Sequence, residues 1–406
     1  MPVSPNFKIS LFVLGCLFVL TSTSYAQTFS SGSTGADGPL TLTTPGTYDF
    51  DPKARNLDPE GDNIFHFTTV TIGTGVTLRL SNKFLNGPVY WLAQGAVVIN
   101  GTLDLSGESG LSVTDNSSDR IAAAGGAGGY SGGLGGNSTI PPTPGNGPGG
   151  SPATTTNQPV TGISFGGTFT GNQYLVPLIG GSGGGGTVPA CRNFGAGGGG
   201  GGGAILIASS ASITLTGGTI NAAGGNGGSP CSGVSPGGSG GAIRLIAPNI
   251  STSGTVPILN VNGGGFQGGA GRIRLEGYSV NINTGNTDIR GPFSISVPFK
   301  LALPSTPPSA IRVTSLVVGG TTIPINANPF SFPDATISST GPVTVNVQAQ
   351  YIPVGTTAKI FVASETGPDQ TINCSTPLQG SLQQSTCSAQ VTFVPGGSRG
   401  FVKATW

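Results

Sequence analysis

One unit recurs along this chain and limits what it can become: a run of glycines followed by a short strand-like stretch of apolar residues. GGGGAILIAS at 200–209 returns as GGSGGAIRLIAP at 237–248 and as GGAGRIRLEG at 268–277. Ile205 and Ile243 lie 38 residues apart, and Ile243 and Ile273 lie 30 apart. A second element follows the first, GTINAAGG at 218–225 and PILNVNGG at 257–264, with GTLDLSG at 101–107 upstream. A unit this small buries its apolar side only by stacking on its neighbours, so the spacing predicts a repeat architecture.

A parallel β solenoid satisfies the pattern. Each strand places a row of Ile, Leu and Val inward and Thr, Asn or Ser outward. Asn221 with Asn260, and Thr219 with Thr102, are expected to stack in ladders along the axis. Glycine suits the corners, and the unequal spacings are read as glycine-rich loops of different length leaving one corner. Ordering glycine is entropically costly, so these loops are expected to be mobile. The seven glycines 197–203 run into Ala204-Ile205-Leu206-Ile207 with no Lys-Ser or Lys-Thr and no helix to follow. That excludes a phosphate-binding loop. No helical pattern lies beyond the leader, which excludes a dinucleotide site.

Composition narrows the partners. The 406 residues include 73 glycines and 32 prolines, with Lys+Arg 16 against Asp+Glu 15. A sparse and balanced charge disfavours nucleic acid and anionic lipid, both of which need clustered cations. Lys8, the apolar stretch 9–20 and Ser24-Tyr25-Ala26 have the order of a secretory signal peptide, residues 1–26, cleaved after Ala26. Val13-Leu14-Gly15-Cys16 faintly resembles a lipoprotein box, but the apolar run continues past Cys16. The expected address is secreted or at the cell surface, with no transmembrane segment in the mature chain.

The stretch 62–107, DNIFHFTTVTIGTGVTLRLSNKFLNGPVYWLAQGAVVINGTLDLSG, together with the three glycine-led repeats, resembles glycine-rich exported bacterial proteins of unknown function. The resemblance covers roughly residues 35–300 and implies a right-handed parallel β-helix of the pectin-lyase-like superfold. It carries no activity with it.

Strands are expected at 40–43, 47–50, 65–72, 76–80, 89–92 and 97–105. Residues 109–186 have little apolar pattern and read as a long flexible excursion from the β-helix, which spans 27–300. Pro304-Ser305-Thr306-Pro307-Pro308 marks a linker at 301–309. Beyond it, Val343-Thr344-Val345-Asn346-Val347 alternates strictly, as half-buried antiparallel strands do. Residues 310–406 therefore read as a small antiparallel β-sandwich. Tyr351-Ile352-Pro353-Val354-Gly355-Thr356-Thr357 resembles the strand–turn of bacterial immunoglobulin-like modules.

Removing the leader leaves Cys191, Cys231, Cys374 and Cys387. Cys191 and Cys231 precede equivalent repeats, and Cys374 and Cys387 flank one turn, so the pairings 191–231 and 374–387 are expected. No Cys-x-x-Cys spacing supports zinc. Asp58, Glu60 and Asp62 form an oxygen-rich cluster. Calcium is one reading of it; a solvated turn capping its own backbone is the other and is preferred. His66, between Phe65 and Phe67, is expected to face outward.

Polysaccharide lyases and hydrolases share the superfold, which raises the question of catalysis. Asn286-Thr287-Asp288 matches a short polygalacturonase element and Arg272-Ile273-Arg274 loosely resembles another, but they stand in the wrong order. Neither paired aspartates nor a Gly-His-Gly element accompanies them. Glycoside hydrolysis needs two placed carboxylates, and residues 195–300 offer only Glu276 and Asp288. These charged side chains are expected to point into water. The preferred reading has no catalytic residues and no cofactor: a non-enzymatic structural or adhesive element contacting matrix or cell-surface components. The alternative is a carbohydrate-binding or carbohydrate-degrading β-helix protein.

Overall fold

Three strand-forming stretches, each closed by a corner, make one turn of the first module, and the turns stack in parallel register. The computed structural model describes residues 28–405 apart from 60, 86, 114–119, 155–165, 190–192, 230–233, 255, 283–286, 300, 305–308, 326–334, 340, 365–369 and 393–397. The signal peptide, Cys16, Glu60, Cys191 and Cys231 thus lie outside the described residues.

The first coil holds β1 (Gly38–Leu42) and β2 (Gly46–Asp49), and the second holds β3 (Ile64–Ile72) and β4 (Val76–Arg79). Coil three is β5 (Val89–Ala93), β6 (Val97–Ile99) and β7 (Thr102–Asp104); coil four is β8 (Ala204–Ser209), β9 (Ser212–Thr216) and β10 (Thr219–Asn221). Coil five is β11 (Ala242–Ile246), β12 (Asn249–Ser253) and β13 (Ile258–Asn260). Coil six is β14 (Arg272–Glu276), β15 (Ser279–Asn281) and β16 (Asp288–Arg290), and β17 (Phe293–Ser296) begins a seventh. One parallel sheet runs β15-β12-β9-β6-β3-β5-β8-β11-β14-β17, bent at β3, which pairs with both β5 and β6. A second runs β16-β13-β10-β7-β4-β2. The result is a three-sided, solenoid-like stack.

Its core is built from rows of like residues one strand apart. Leu78, Leu103, Ile220, Leu259 and Ile289 form one row. Phe65, Trp91, Ile207, Leu245, Leu275 and Ile295 form another. Phe50, Phe65, Phe67 and Trp91 pack as an aromatic cluster with centroids 5.0–6.0 Å apart. The single strand expected at 97–105 is two, because the chain turns a corner at Gly101, where a Cβ would lie 2.4 Å from the Gly73 carbonyl oxygen.

The glycine-rich stretches differ most from expectation. They leave one corner, between the third strand of a coil and the first of the next, as 105–203, 222–241 and 261–271. Their described residues pack as extended segments bonded main chain to main chain. Gly197, Gly200 and Gly203 donate to the carbonyls of Leu111, Glu108 and Leu105 at 3.0, 2.9 and 2.7 Å. Gly198, Gly201 and Ala204 donate to Gly133, Tyr130 and Ala127 at 2.9, 2.8 and 2.8 Å, while Gly199 and Gly202 donate to Pro236 and Ser239. Successive N–H groups thus address three neighbours in strict rotation, the threefold symmetry of a polyproline-II helix, which makes no internal bonds.

Carbonyls of the same run accept from Gly126, Gly181, Gly184, Gly225 and Gly228. A Cβ on Gly201 would lie 2.0 Å from the Gly181 oxygen, so only glycine permits this approach. Residues 109–186, expected as a flexible excursion, contribute to this array. Gly126, Gly132, Gly133, Gly181, Gly183, Gly184 and Gly186 make inter-segment main-chain hydrogen bonds there, in place of the side-chain pattern that the sequence lacks.

The second module has β18 (Ala310–Val318), β19 (Thr321–Pro324), β20 (Ala335–Ile337), β21 (Pro342–Gln350), β22 (Lys359–Ser364) and β23 (Gln370–Asn373). β24 (Gln379–Gly380), β25 (Ser385–Thr392) and β26 (Ser398–Thr405) complete it. Two antiparallel sheets, β19-β18-β21-β25-β24 and β20-β26-β22-β23, bury one core that includes Leu316, Val345, Val347, Ile360 and Val362. Cys374 and Cys387 form a disulfide that ties the end of β23 to β25, joining the sheets. Among the described residues no helix is long and apolar enough to cross a membrane.

Candidate functional site

The first strands of coils three to five are buried on both faces, and the outer face carries a second core. Tyr90, Leu92, Leu206, Ala208 and Ile246 pack there under Leu175 and Leu178, with Phe29, Phe169, Leu301 and Leu303 alongside. Two ranks of this covered face carry charge in the later coils. Tyr90, Leu206, Arg244, Arg274 and Ser294 share one rank; Leu92, Ala208, Ile246, Glu276 and Ser296 share the next.

Arg244 is 1 % exposed and Glu276 0 %. Glu276 Oε1 accepts from Arg244 Nε at 2.9 Å and from Arg274 Nε at 2.7 Å. Its Oε2 accepts from the Phe299 N–H at 2.7 Å. Arg274 also donates to Ser296 Oγ at 3.0 Å, and its guanidinium lies 5.3 Å from the Tyr174 ring centroid. The terminal nitrogens of Arg244 are buried and make no hydrogen bond. Burial pushes the Tyr90 hydroxyl up to about 12, opposed by the charge of Arg244.

The expectation that Glu276 and Arg274 point into water is thereby corrected. In a strand covered on both faces, an outward side chain meets protein rather than solvent, and a buried charge must then find a partner. Both oxygens of Glu276 are engaged, tying β11, β14 and the segment after β17 together. Arg272, at the start of the same strand, is half-buried and its Nε makes no hydrogen bond. Asp288 lies on another side of the solenoid, half-buried and paired with Arg290 at 2.6 Å. The structure does not bring the two acids together. Beside the buried cluster, Phe29, Pro298, Phe299, Leu301 and Leu303 line an open groove of about 510 Å³.

The acidic turn is arranged around its own backbone. Asp58 Oδ1 accepts from the Asp62 N–H at 3.1 Å and Oδ2 from the Asn63 N–H at 2.9 Å. Asp62 Oδ1 accepts from the Ile64 N–H at 2.9 Å. Burial, with Asp62 nearby, pushes the Asp58 carboxyl up to about 6, against the lowering effect of the two N–H donors. Among the described residues no three His, Cys, Asp or Glu side chains converge as metal ligands. His66 is half-buried opposite the buried Phe65 and Phe67, and its Nδ1 accepts from the Thr34 N–H at 3.2 Å.

The outer face of the six-stranded sheet carries the expected ladders. Thr47, Thr77, Thr102 and Thr219 stand in one rank. Asp49, Arg79, Asp104, Asn221, Asn260 and Arg290 stand in another. Asn260 donates to Asn221 Oδ1 at 3.0 Å, and Asn221 donates to Asp104 Oδ1 at 3.3 Å.

Sequence reasoning missed the buried charge cluster. Its signal was the unbroken apolar run of Ala204-Ile205-Leu206-Ile207-Ala208, which marks burial on both faces. That run places Arg244, its register partner, under cover as well. Comparison with protein-family models, curated proteins and solved structures finds no match to this chain.

Proposed function

We propose that this chain is an exported, non-enzymatic structural or adhesive protein: a right-handed β-helix with a glycine array on one corner, followed by an immunoglobulin-like β-sandwich. The burial of Glu276 carries the reading. Of the two acids nearest to polysaccharide-active elements, Glu276 has both oxygens engaged inside the protein and Asp288 stands on a different side of the solenoid. Hydrolysis of a glycosidic bond needs two carboxyl groups across one bond. The main-chain array supports the structural role, since it offers rigidity without reactive side chains. The test is release of reducing or unsaturated sugar ends from pectin, polygalacturonate and alginate, with and without calcium. No release is expected, and release abolished by Asp288→Ala would overturn the reading.

A second reading rests on the ladder face. Asp104, Asn221 and Asn260 present regularly spaced amide and carboxylate groups beside a threonine rank, a surface suited to polyhydroxylated chains. Binding on a glycan array that is lost in Asn221→Ala/Asn260→Ala would favour carbohydrate recognition over adhesion to protein.

A further inference from the structure

Among the described residues nothing covers the end of the solenoid. Phe293, Ile295, Val297 and Phe299 are 45, 50, 67 and 60 % exposed. Phe293 and Ile295 continue the rows of Ile273 and Leu275, which are wholly buried one coil earlier. At the opposite end the corresponding apolar group, Phe50, is fully buried in the aromatic cluster. Among the described residues the last coil also leaves three strand edges open: β15 pairs only with β12, β16 only with β13, and β17 only with β14. Unpaired edges above an open apolar core form a template for another chain.

We propose that the occupant is a second copy of this chain, joined end to end about a twofold axis through Ile289. The edge strand β16 reads Asp288-Ile289-Arg290 and is self-complementary when paired antiparallel with itself. Asp288 then faces Arg290 of the second copy, and Arg290 faces its Asp288. Both side chains are accessible, 38 and 45 % exposed, and already paired within one strand, so the twofold completes an alternating square of four charges. The same axis sets β17 of each copy against β15 of the other, again antiparallel. The coil climbs from β15 through β16 to β17, so this operation places the low side of one end against the high side of the other and the ramps mesh. An isologous contact of this kind closes at two copies.

The test is the mass of the full chain in solution by light scattering or sedimentation. Wild type is expected at twice the chain mass. Asp288→Arg or Arg290→Asp sets like charges opposite each other and is expected to halve it. Asp288→Arg/Arg290→Asp restores opposite charges and is expected to restore the dimer. Independently, Ile289→Cys is expected to give a reducible, covalently linked dimer. Residues directly opposed in antiparallel strands have Cα atoms about 4.5–5.5 Å apart, within disulfide reach. A monomeric wild type, a mass indifferent to both single charge reversals while circular dichroism shows them folded, or open-ended filaments would each overturn the proposal.

Discussion

Arg244 and Glu276, on adjacent strands one coil apart, form an ion pair at 2.9 Å in which neither side chain reaches solvent. Arg274 reaches the same oxygen from within Glu276's own strand. Removing one partner of such a pair strands the other, at about 3–5 kcal/mol. Glu276→Ala should destabilise the solenoid by that amount in urea unfolding. Replacing the three residues together with Arg244→Met, Arg274→Met and Glu276→Leu should recover most of the loss, because no charge then remains buried. A loss below about 1 kcal/mol in Glu276→Ala would show that water reaches the cluster.

The glycine run offers a contrast within one segment. A Cβ on Gly201 would lie 2.0 Å from a main-chain oxygen, whereas on Gly197 the nearest atom is 3.2 Å away. Gly201→Ala should cost at least about 3 kcal/mol, the upper range for overpacking, and Gly197→Ala much less. Thermal unfolding of the two variants decides it; equal losses would contradict the array.

Hydrogen exchange tests the same array without mutation. The amides of Gly199, Gly200, Gly201 and Gly202 each donate to a main-chain carbonyl and are buried. They should exchange among the slowest in the chain. Rapid exchange there would restore the mobile-loop expectation.

The disulfide joins residues 13 apart across the two antiparallel sheets. Closing a loop of that length contributes roughly 3 kcal/mol. Cys374→Ser/Cys387→Ser should therefore lower the stability of the second module by about that much and leave the solenoid transition unmoved. Calorimetry that follows both transitions provides the measurement.

Asp58 gives a pH dependence of defined sign. Its carboxyl, raised to about 6 in the folded chain, binds its proton more tightly there than in the unfolded chain, whose value is about 3.9. The group favours folding below the unfolded value, and that contribution is lost as pH rises to about 6. The stability of wild type relative to Asp58→Asn should fall across that window and stay level above it. Carbon-13 titration of the Asp58 carboxyl with a midpoint near 4 would refute it.

Much of the coil architecture was legible because its strands obey a period of two. Phe65 and Phe67 face inward while His66 faces out, and the strands at 76–79 and 89–93 begin where the apolar run begins. The Asn221–Asn260 ladder followed from the repeat alone. Two features were not legible, for different reasons. Glu276 looked exposed because nothing in its own segment announces that Arg244 of the preceding coil and the Phe299 N–H close over its carboxylate. The array was hidden because glycine has no side chain to show a pattern. Its threefold order resides in which distant segments meet, and composition says only that backbones are able to approach.

The array also sets how the chain must acquire its structure. Gly201 donates to Tyr130 and accepts from Gly126, and Gly202 donates to Ser239; none of these partners is local. A single extended glycine segment has no bonds of its own and no apolar face, so it holds no structure until its neighbours arrive. Loop closure must precede any reward, which is the circumstance that makes folding slow. The corner therefore condenses late, after coils three to six have brought the roots of all three excursions together. Until then roughly a hundred residues between β7 and β8 remain an open tether, the stage at which this chain is most vulnerable to cleavage.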